Sequence, residues 1–362
     1  MKKSSNINKR ILLISFLSLI ILPTILYRFI PEEYKKNNEN RALAQRPELS
    51  IDNYDTFPKL YENYYNDNVP FKNFLTNLNS KIKYNIFDIS PSDSVIKGED
   101  GWLFYNSKYK NDGDTLADYQ RTNHYNEEML EKFKESLESK KKFLDDLGIE
   151  FYVYIASNKE EIYPEYMPDD YVRLHDKSKT DLAVDYLREN TDVNIIYPKD
   201  VLMSYKDDYN LYYKLDTHWN KIGAYIGFTE IMKAMGMDYT KIEDMDIKSE
   251  DISKGDLANM INMAGDLKDT EYEINYKDDV EVELLEDKGK PMNRYGSSNE
   301  NGKKLLAYRD SFFVNLAPFM VKEFEESAFV WGLPFNEEQI EKEKPDVVIL
   351  EVVERNLEYL TK

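Results

Sequence analysis

Five runs of continuous apolar, β-branched or aromatic residues punctuate the chain, each of strand length: Ile149–Ala156, Val193–Tyr197, Leu305–Tyr308, Ala328–Trp331 and Val347–Val353. A strand wetted on one face alternates apolar and polar residues, whereas a strand covered on both faces does not, so these runs predict a mainly parallel sheet buried between helices. Helical spacing fills the intervals. Asn126 stands at an N-cap position, Met129, Phe133, Leu137, Leu144 and Leu147 follow on one side, and Gly148 supplies the stop. The same spacing runs through Lys179–Arg188 and Lys221–Met235. Strands alternating with helices predict an α/β sandwich. Val95–Tyr105 predicts a hairpin turned between Gly98 and Gly101, with Trp102, Leu103 and Phe104 packing inward. Residues 237–300 break the pattern, being acidic and short of long apolar runs. They read as an insertion or mobile flap over the sheet, or equally as a solvated face with no role.

The longest apolar stretch lies elsewhere. Ile11–Tyr27 carries no charge and as a helix extends roughly 25 Å, which Arg28, Phe29 and Ile30 bring up to the thickness of a hydrocarbon core. Lys2, Lys3, Lys9 and Arg10 precede it and a charge-balanced segment follows, so residues 1–10 are expected in the cytoplasm, 11–30 as a single-pass signal-anchor and the body outside the cell. A cleaved signal peptide is the alternative, for which Tyr27-Arg28-Phe29-Ile30-Pro31 makes a poor cut site. Residues 31–56 read as an extracellular stalk and 57–362 as one elaborated domain, since no repeat or Pro/Gly-rich linker divides them.

Charge and composition narrow the chemistry. With 48 basic and 68 acidic residues the chain carries a formal charge of -20, and a body of that sign repels nucleic acid. There is no cysteine, which excludes disulfides, thiolate zinc sites and cysteine nucleophiles. Of the three histidines, His124 and His175 lie in polar, loop-like sequence, and no His-x-His or His-Glu-x-x-His pattern occurs, so no metal site is expected. His218 differs. It follows Asp216 by two residues, and in an extended segment such residues point the same way, so the carboxylate can hold one imidazole nitrogen and leave the other as a base. A purely structural Asp–His pair is the plain alternative. Ser311 ends the apolar run Leu305–Tyr308 just before a helix-like stretch, Val314–Phe324, at the carboxyl end of a strand where ligand crevices of α/β sheets form. Its hydroxyl suits a nucleophile and its N–H an oxyanion donor, or else Asp310 or Ser311 simply caps the helix.

Taken together, Glu39-Asn40-Arg41 with Leu43-Ala44, Gly98-Glu99-Asp100-Gly101-Trp102-Leu103-Phe104, Asp216-Thr217-His218-Trp219, Gly255-Asp256-Leu257 and Arg309-Asp310-Ser311-Phe312 resemble the AlgX/AlgJ-type SGNH-hydrolase-like acetyltransferases, the DHHW proteins. The resemblance runs from about residue 39 to 357. It implies a three-layer α/β/α SGNH-like sandwich with a circularly permuted motif order, and a triad of Ser311 as nucleophile, His218 as base and Asp216 as orienter. Arg309 and Asn158 are the further candidates for oxyanion donors. Lys159 and Tyr163 fall in a block near the family's site and are carried as substrate-binding candidates, while Glu354 and Arg355 suit a structural ion pair.

The resemblance also implies O-acetylation of an exopolysaccharide or cell-wall glycan through an acetyl-serine, without a cofactor. Acetyl-CoA is cytosolic, so a membrane O-acyltransferase of the MBOAT type is the implied donor partner. Three readings compete: an extracellular carbohydrate esterase, in which water attacks the acyl-serine; a non-catalytic glycan-binding or assembly factor; and a teichoic-acid modifying protein of related architecture.

Overall fold

The structure is a computed structural model that describes residues 2–30, 43–110, 112–289, 292–332 and 335–362. The Glu39-Asn40-Arg41 motif and the first part of the expected stalk lie outside the described residues. The chain forms two compact units, one up to Ile89 and one from Ser90 to Lys362. The expected domain start at residue 57 is therefore displaced to Ser90. Residues 57–85 form two helices, Phe57–Asp67 and Lys72–Asn85, that bury only Ser80 and Tyr84 and belong with the N-terminal unit. That unit opens with the helix Lys2–Tyr27, whose Lys9–Tyr27 part is long and apolar enough to cross a membrane.

In the second unit the two strands β1 (Val95–Lys97) and β2 (Leu103–Tyr105) make the expected hairpin, with Val95 opposite Tyr105 and with Trp102, Leu103 and Phe104 buried. Next come β3 (Glu150–Ala156) and β4 (Asn194–Ile196), then a hairpin of β5 (Ile247–Ile252) and β6 (Asp269–Ile274). The remaining strands are β7 (Val282–Asp287), β8 (Met292–Ser297), β9 (Lys304–Arg309), β10 (Glu326–Trp331) and β11 (Val347–Val353). The main sheet runs β4-β3-β11-β9-β10-β8-β7. Its first five strands pair in parallel, and β8 pairs antiparallel with both β10 and β7.

Continuous hydrophobicity has the cause assigned to it. Along β3, Tyr152, Tyr154 and Ala156 enter one core while Phe151, Val153 and Ile155 enter the other, and β11 splits in the same way. One face packs on the Lys221–Met235 and Phe313–Met320 helices, and the opposite face on Glu127–Asp146, Lys179–Asn190 and Glu337–Glu343. The result is three layers, α/β/α.

Residues 237–300 are not one flap. Their second half supplies β7 and β8, which extend the sheet at its edge, and their first half forms the β5–β6 hairpin with a short helix, Asp256–Met260, in its connection. An edge strand such as β7, with Leu284 and Leu285 half exposed between Glu283 and Glu286, offers no continuous apolar run to read.

Parallel pairing sets the carboxyl ends of β3, β9 and β11 side by side, so the turns after Ala156, Arg309 and Val353 share one rim of the sheet. Leu350, 1% exposed on central β11, measures the core: Leu350→Ala should lower unfolding free energy by about 2–5 kcal/mol, whereas Leu284→Ala on the edge should stay within about 0.5 kcal/mol, as read from urea unfolding.

Candidate active site

The histidine segment is held from within. Tyr212 bridges Trp219, and the Asn220 N–H donates to the Leu211 carbonyl, so residues 213–218 form a closed loop ahead of the Lys221–Met235 helix. Asn220 caps that helix through Oδ1, and Gly223 lets it press home: a Cβ there would lie 2.2 Å from the Leu211 carbonyl oxygen. Inside the loop the buried Lys159 ammonium donates to the carbonyls of Tyr213, Lys214 and Asp216 at 3.0, 3.2 and 2.7 Å. Burial lowers the Lys159 pKa to about 8 against the opposing pull of Asp256 and Asp216.

Asp216 and His218 meet, though not as neighbours on a strand. The loop bends between them, and the Asp216 Oδ1 accepts both the His218 backbone N–H at 3.1 Å and the ring Nδ1–H at 2.6 Å. A carboxylate only accepts, so Nδ1 carries the proton and Nε2 is left with a lone pair. Ser311 stands 2.8 Å from that nitrogen, its Oγ–H aimed at Nε2. Burial pushes the Asp216 carboxyl up, but the hydrogen bond and charge of His218 and the Asp256 and His218 backbone N–H groups outweigh it, bringing it from 3.8 to about 2.

Ser311 is presented by its neighbours. Asp310 accepts the Phe312 N–H with one oxygen at 2.8 Å and the Val353 N–H with the other at 2.7 Å, tying the turn after β9 to the end of β11. The Asp310 N–H donates to Glu351, a fully buried carboxyl pushed well above its ordinary range by burial and by Asp310. The Phe313–Met320 helix has no side-chain cap, which leaves the Ser311 hydroxyl to the histidine. Buried Trp219 closes the arrangement. Its indole N–H donates to the Phe312 carbonyl at 2.9 Å, and Asn315 donates back to the Trp219 carbonyl at 2.7 Å.

Two residues with no role assigned from sequence complete the site. The Asp256 N–H donates to the second oxygen of Asp216 at 2.8 Å, while the Asp256 carboxylate accepts the Thr217 N–H and hydroxyl. Burial, then repulsion from Asp216, raises the Asp256 pKa. Gly255 at φ +155° permits this approach, since a Cβ would lie 2.2 Å from the Leu215 carbonyl. Asp269 accepts the Leu215 N–H at 2.8 Å. The Gly255-Asp256-Leu257 motif was the available signal for the first, and nothing local marks the second. Asp216, His218 and Asp256 bring ligand atoms within 4.8 Å of one another, and these are engaged with one another and with their neighbours: the two carboxylates accept the N–H and O–H groups named above, and the His218 Nδ1–H donates to Asp216.

The secondary candidates divide. Asn158 is buried at the end of β3, with its side-chain Oδ1 accepting from Arg355 at 3.1 Å and its Nδ2 without a partner among the described residues. The Arg355 guanidinium also faces the Phe312 ring, 5.5 Å from its centroid. Arg309 stacks on Trp331 at 4.6 Å and donates to the Asp310 carbonyl. Lys159 and Tyr163 do not line the cleft. The Tyr163 ring packs at a tilt against Trp102, 4.4 Å between centroids, and its hydroxyl accepts the Leu211 N–H, so both residues are consumed in holding the loop. Glu354 and Arg355 turn to different partners: Glu354 accepts from Asn158 and Tyr197, and Arg355 pairs with Asp112 at 3.2 Å. The cleft itself, about 290 Å³, is lined by His218, Ser311, Tyr213, Lys254, Glu271 and Asn315 among others.

Residues 95–314, more than half of the chain, match the family described as "SGNH hydrolase-like domain, acetyltransferase AlgX". The chain is 23% identical over 180 residues to the probable alginate O-acetylase AlgJ of Pseudomonas syringae pv. tomato, covering 49% of this chain and 42% of that protein. It is 24% identical over 216 residues to the probable alginate O-acetylase AlgJ of Pseudomonas aeruginosa, covering 56% and 49%. It thus spans less than half the length of these relatives. Among solved structures, Bacillus cereus PatB1 shares the fold with a TM-score of 0.56 at 16% identity, over 75% of this chain and 100% of that one.

The depressed Asp216 pKa makes a stability prediction. Its contribution is complete above the unfolded-state value near 4 and is lost as pH falls through about 2. Asp216→Asn should therefore destabilise by on the order of 2 kcal/mol near pH 6, and the gap from the native protein should close toward pH 2, as read from denaturant midpoints across pH.

Proposed function

Since the chain belongs to the SGNH hydrolase-like acetyltransferases of the AlgX family, we propose that it transfers acetyl groups to hydroxyls of an extracellular or cell-wall polysaccharide through an acetyl-serine at position 311. The observation that carries this reading is the relay from Asp216 through His218 to the Ser311 hydroxyl at 2.6 and 2.8 Å. Ser311 Oγ attacks the acetyl carbonyl of the donor while His218 Nε2 takes the hydroxyl proton. The tetrahedral adduct collapses, the bond to the donor breaks, and His218 returns the proton to the leaving group. A sugar hydroxyl then gives its proton to Nε2 and attacks the acyl carbonyl, and collapse of that second adduct forms the new ester, breaks the bond from the acyl carbon to Oγ and returns the proton from Nε2 to Ser311. Asp216, ionised throughout, stabilises the imidazolium in both halves.

The Ser311 backbone N–H and the Asn158 amide are the proposed donors to the adduct's oxyanion. An Nδ2 buried without a partner among the described residues supports the second, because a costly unmet donor is the kind of group that an oxyanion formed during reaction can use. The Lys9–Tyr27 helix, preceded by basic residues, supports a single-pass anchor with the N-terminus in the cytoplasm and the catalytic unit outside. With Ser311 on the outer side, acetyl must be relayed across the bilayer, and an MBOAT-type acyltransferase is the proposed partner.

Incubation of the protein with an activated acetyl ester should leave one acetyl group on the Ser311 peptide by mass spectrometry, and adding glycan should discharge it into an O-acetylated sugar. Ser311→Ala should abolish the adduct, and His218→Ala should slow its formation by about 10²–10⁴-fold. Discharge to acetate at a rate indifferent to glycan would assign the esterase reaction instead. Asn158→Ala should lower turnover by about 10²–10³-fold with little change in KM, as measured from initial rates with the same ester.

A further inference from the structure

The Lys72–Asn85 helix is amphipathic in the inverted sense. Its buried residues are Ser80 and Tyr84, while Phe74, Leu75, Leu78 and Ile82 on the other side are between 38% and 64% exposed. Leu75, Leu78 and Ile82 follow one another at steps of three and four along that face, and Ile86 and Ile89, just beyond the helix end, are also exposed. Water is a poor partner for such a face, and a contiguous exposed apolar stripe marks an interaction surface.

Two observations identify what covers it. The first is position. The helix begins at the end of the apolar N-terminal helix: the ring of Phe71 lies 5.7 Å from that of Tyr27, the last residue of that helix, and Tyr27, Ile30, Phe71 and Phe74 line one common cleft. The second is charge. In a chain of net charge -20 this helix carries Lys72, Lys81 and Lys83 and no acidic residue. By helical spacing, Lys72 and Lys83 fall on one border of the apolar stripe and Lys81 on the other. Apolar residues on one face, flanked by lysines, at the mouth of a spanning segment are the composition and placement of a helix that lies in the plane of a bilayer surface. Cationic borders beside anionic headgroups add to the attraction.

We propose that the Lys72–Asn85 helix is an interfacial helix, seated by Phe74, Leu75, Leu78 and Ile82 in the headgroup and upper acyl region of the same membrane that the Lys9–Tyr27 helix crosses. The assignment rests on the reading of that helix as a span. It is an attachment additional to the span, and it fixes the first unit at the membrane surface.

The absence of cysteine makes the test direct. Leu17→Cys, Leu78→Cys and Thr76→Cys each give the full chain one site for an environment-sensitive fluorophore, in the span, on the exposed stripe and away from the stripe. The proteins are reconstituted into vesicles of phosphatidylcholine and phosphatidylglycerol carrying doxyl groups at a shallow or a deep acyl position. The Leu78 label should be quenched about twofold or more strongly than the Thr76 label, and more by shallow than by deep doxyl. Its quenching should weaken when phosphatidylglycerol is omitted. Equal quenching at 76 and 78 with a deeply quenched Leu17 label would overturn the proposal and assign the stripe to a protein partner. An unquenched Leu17 label would overturn the span itself, and the interfacial assignment with it.

Discussion

One indole N–H joins the two halves of the site. Trp219 and Phe312 are 93 residues apart in sequence, and the hydrogen bond from the buried ring to the Phe312 carbonyl sets the distance between the neighbours that matter, His218 and Ser311. Both side chains would otherwise sit on turns, and turns drift. A buried donor that must find an acceptor, in a residue with no room to rotate, converts two independent loops into one object. The reciprocal bond from Asn315 to the Trp219 carbonyl makes the register stricter, because sliding either segment breaks both bonds.

Much of this was legible beforehand because it rests on local chemistry. The runs Ile149–Ala156 and Val347–Val353 fall within a residue of β3 and β11, since strands covered on both faces leave continuous hydrophobicity. The Lys221–Met235 helix has the boundaries its spacing implies. The Asp–His contact was foreseen for an incomplete reason: proximity was right, but it comes from a bend closed by the carboxylate on a main-chain N–H, not from strand alternation. What stayed hidden depends on partners distant in sequence. Asp256 acts through its main-chain N–H, Asp269 through an oxygen on the Leu215 N–H, and neither role leaves a trace in the side-chain pattern. Lys159 is carried as a substrate-binding candidate only through the block it shares with the family, and the sequence shows nothing of the loop carbonyls it meets. Here its three protons are spent on carbonyls of the loop.

The electrostatics of the site follow from the same economy. Asp216 and Asp256 lie close together at the edge of an acidic protein, which disfavours two negative charges, and burial disfavours them further. The conflict is resolved unequally. Asp216 gathers the imidazole and two main-chain N–H groups and stays ionised at low pH, whereas Asp256 is pushed upward. The buried ammonium of Lys159 behind the loop offsets part of the remaining field.

The β5–β6 hairpin is a wall of the cleft through Ile252, Lys254 and Glu271, and its connection is also the source of the N–H that steadies the carboxylate behind the imidazole. Accommodation and reactivity are thereby geared together. Moving this wall outward would draw the Asp256 N–H away from Asp216 and loosen the carboxylate that orients the His218 ring, so the width of the cleft and the setting of the imidazole are mechanically linked.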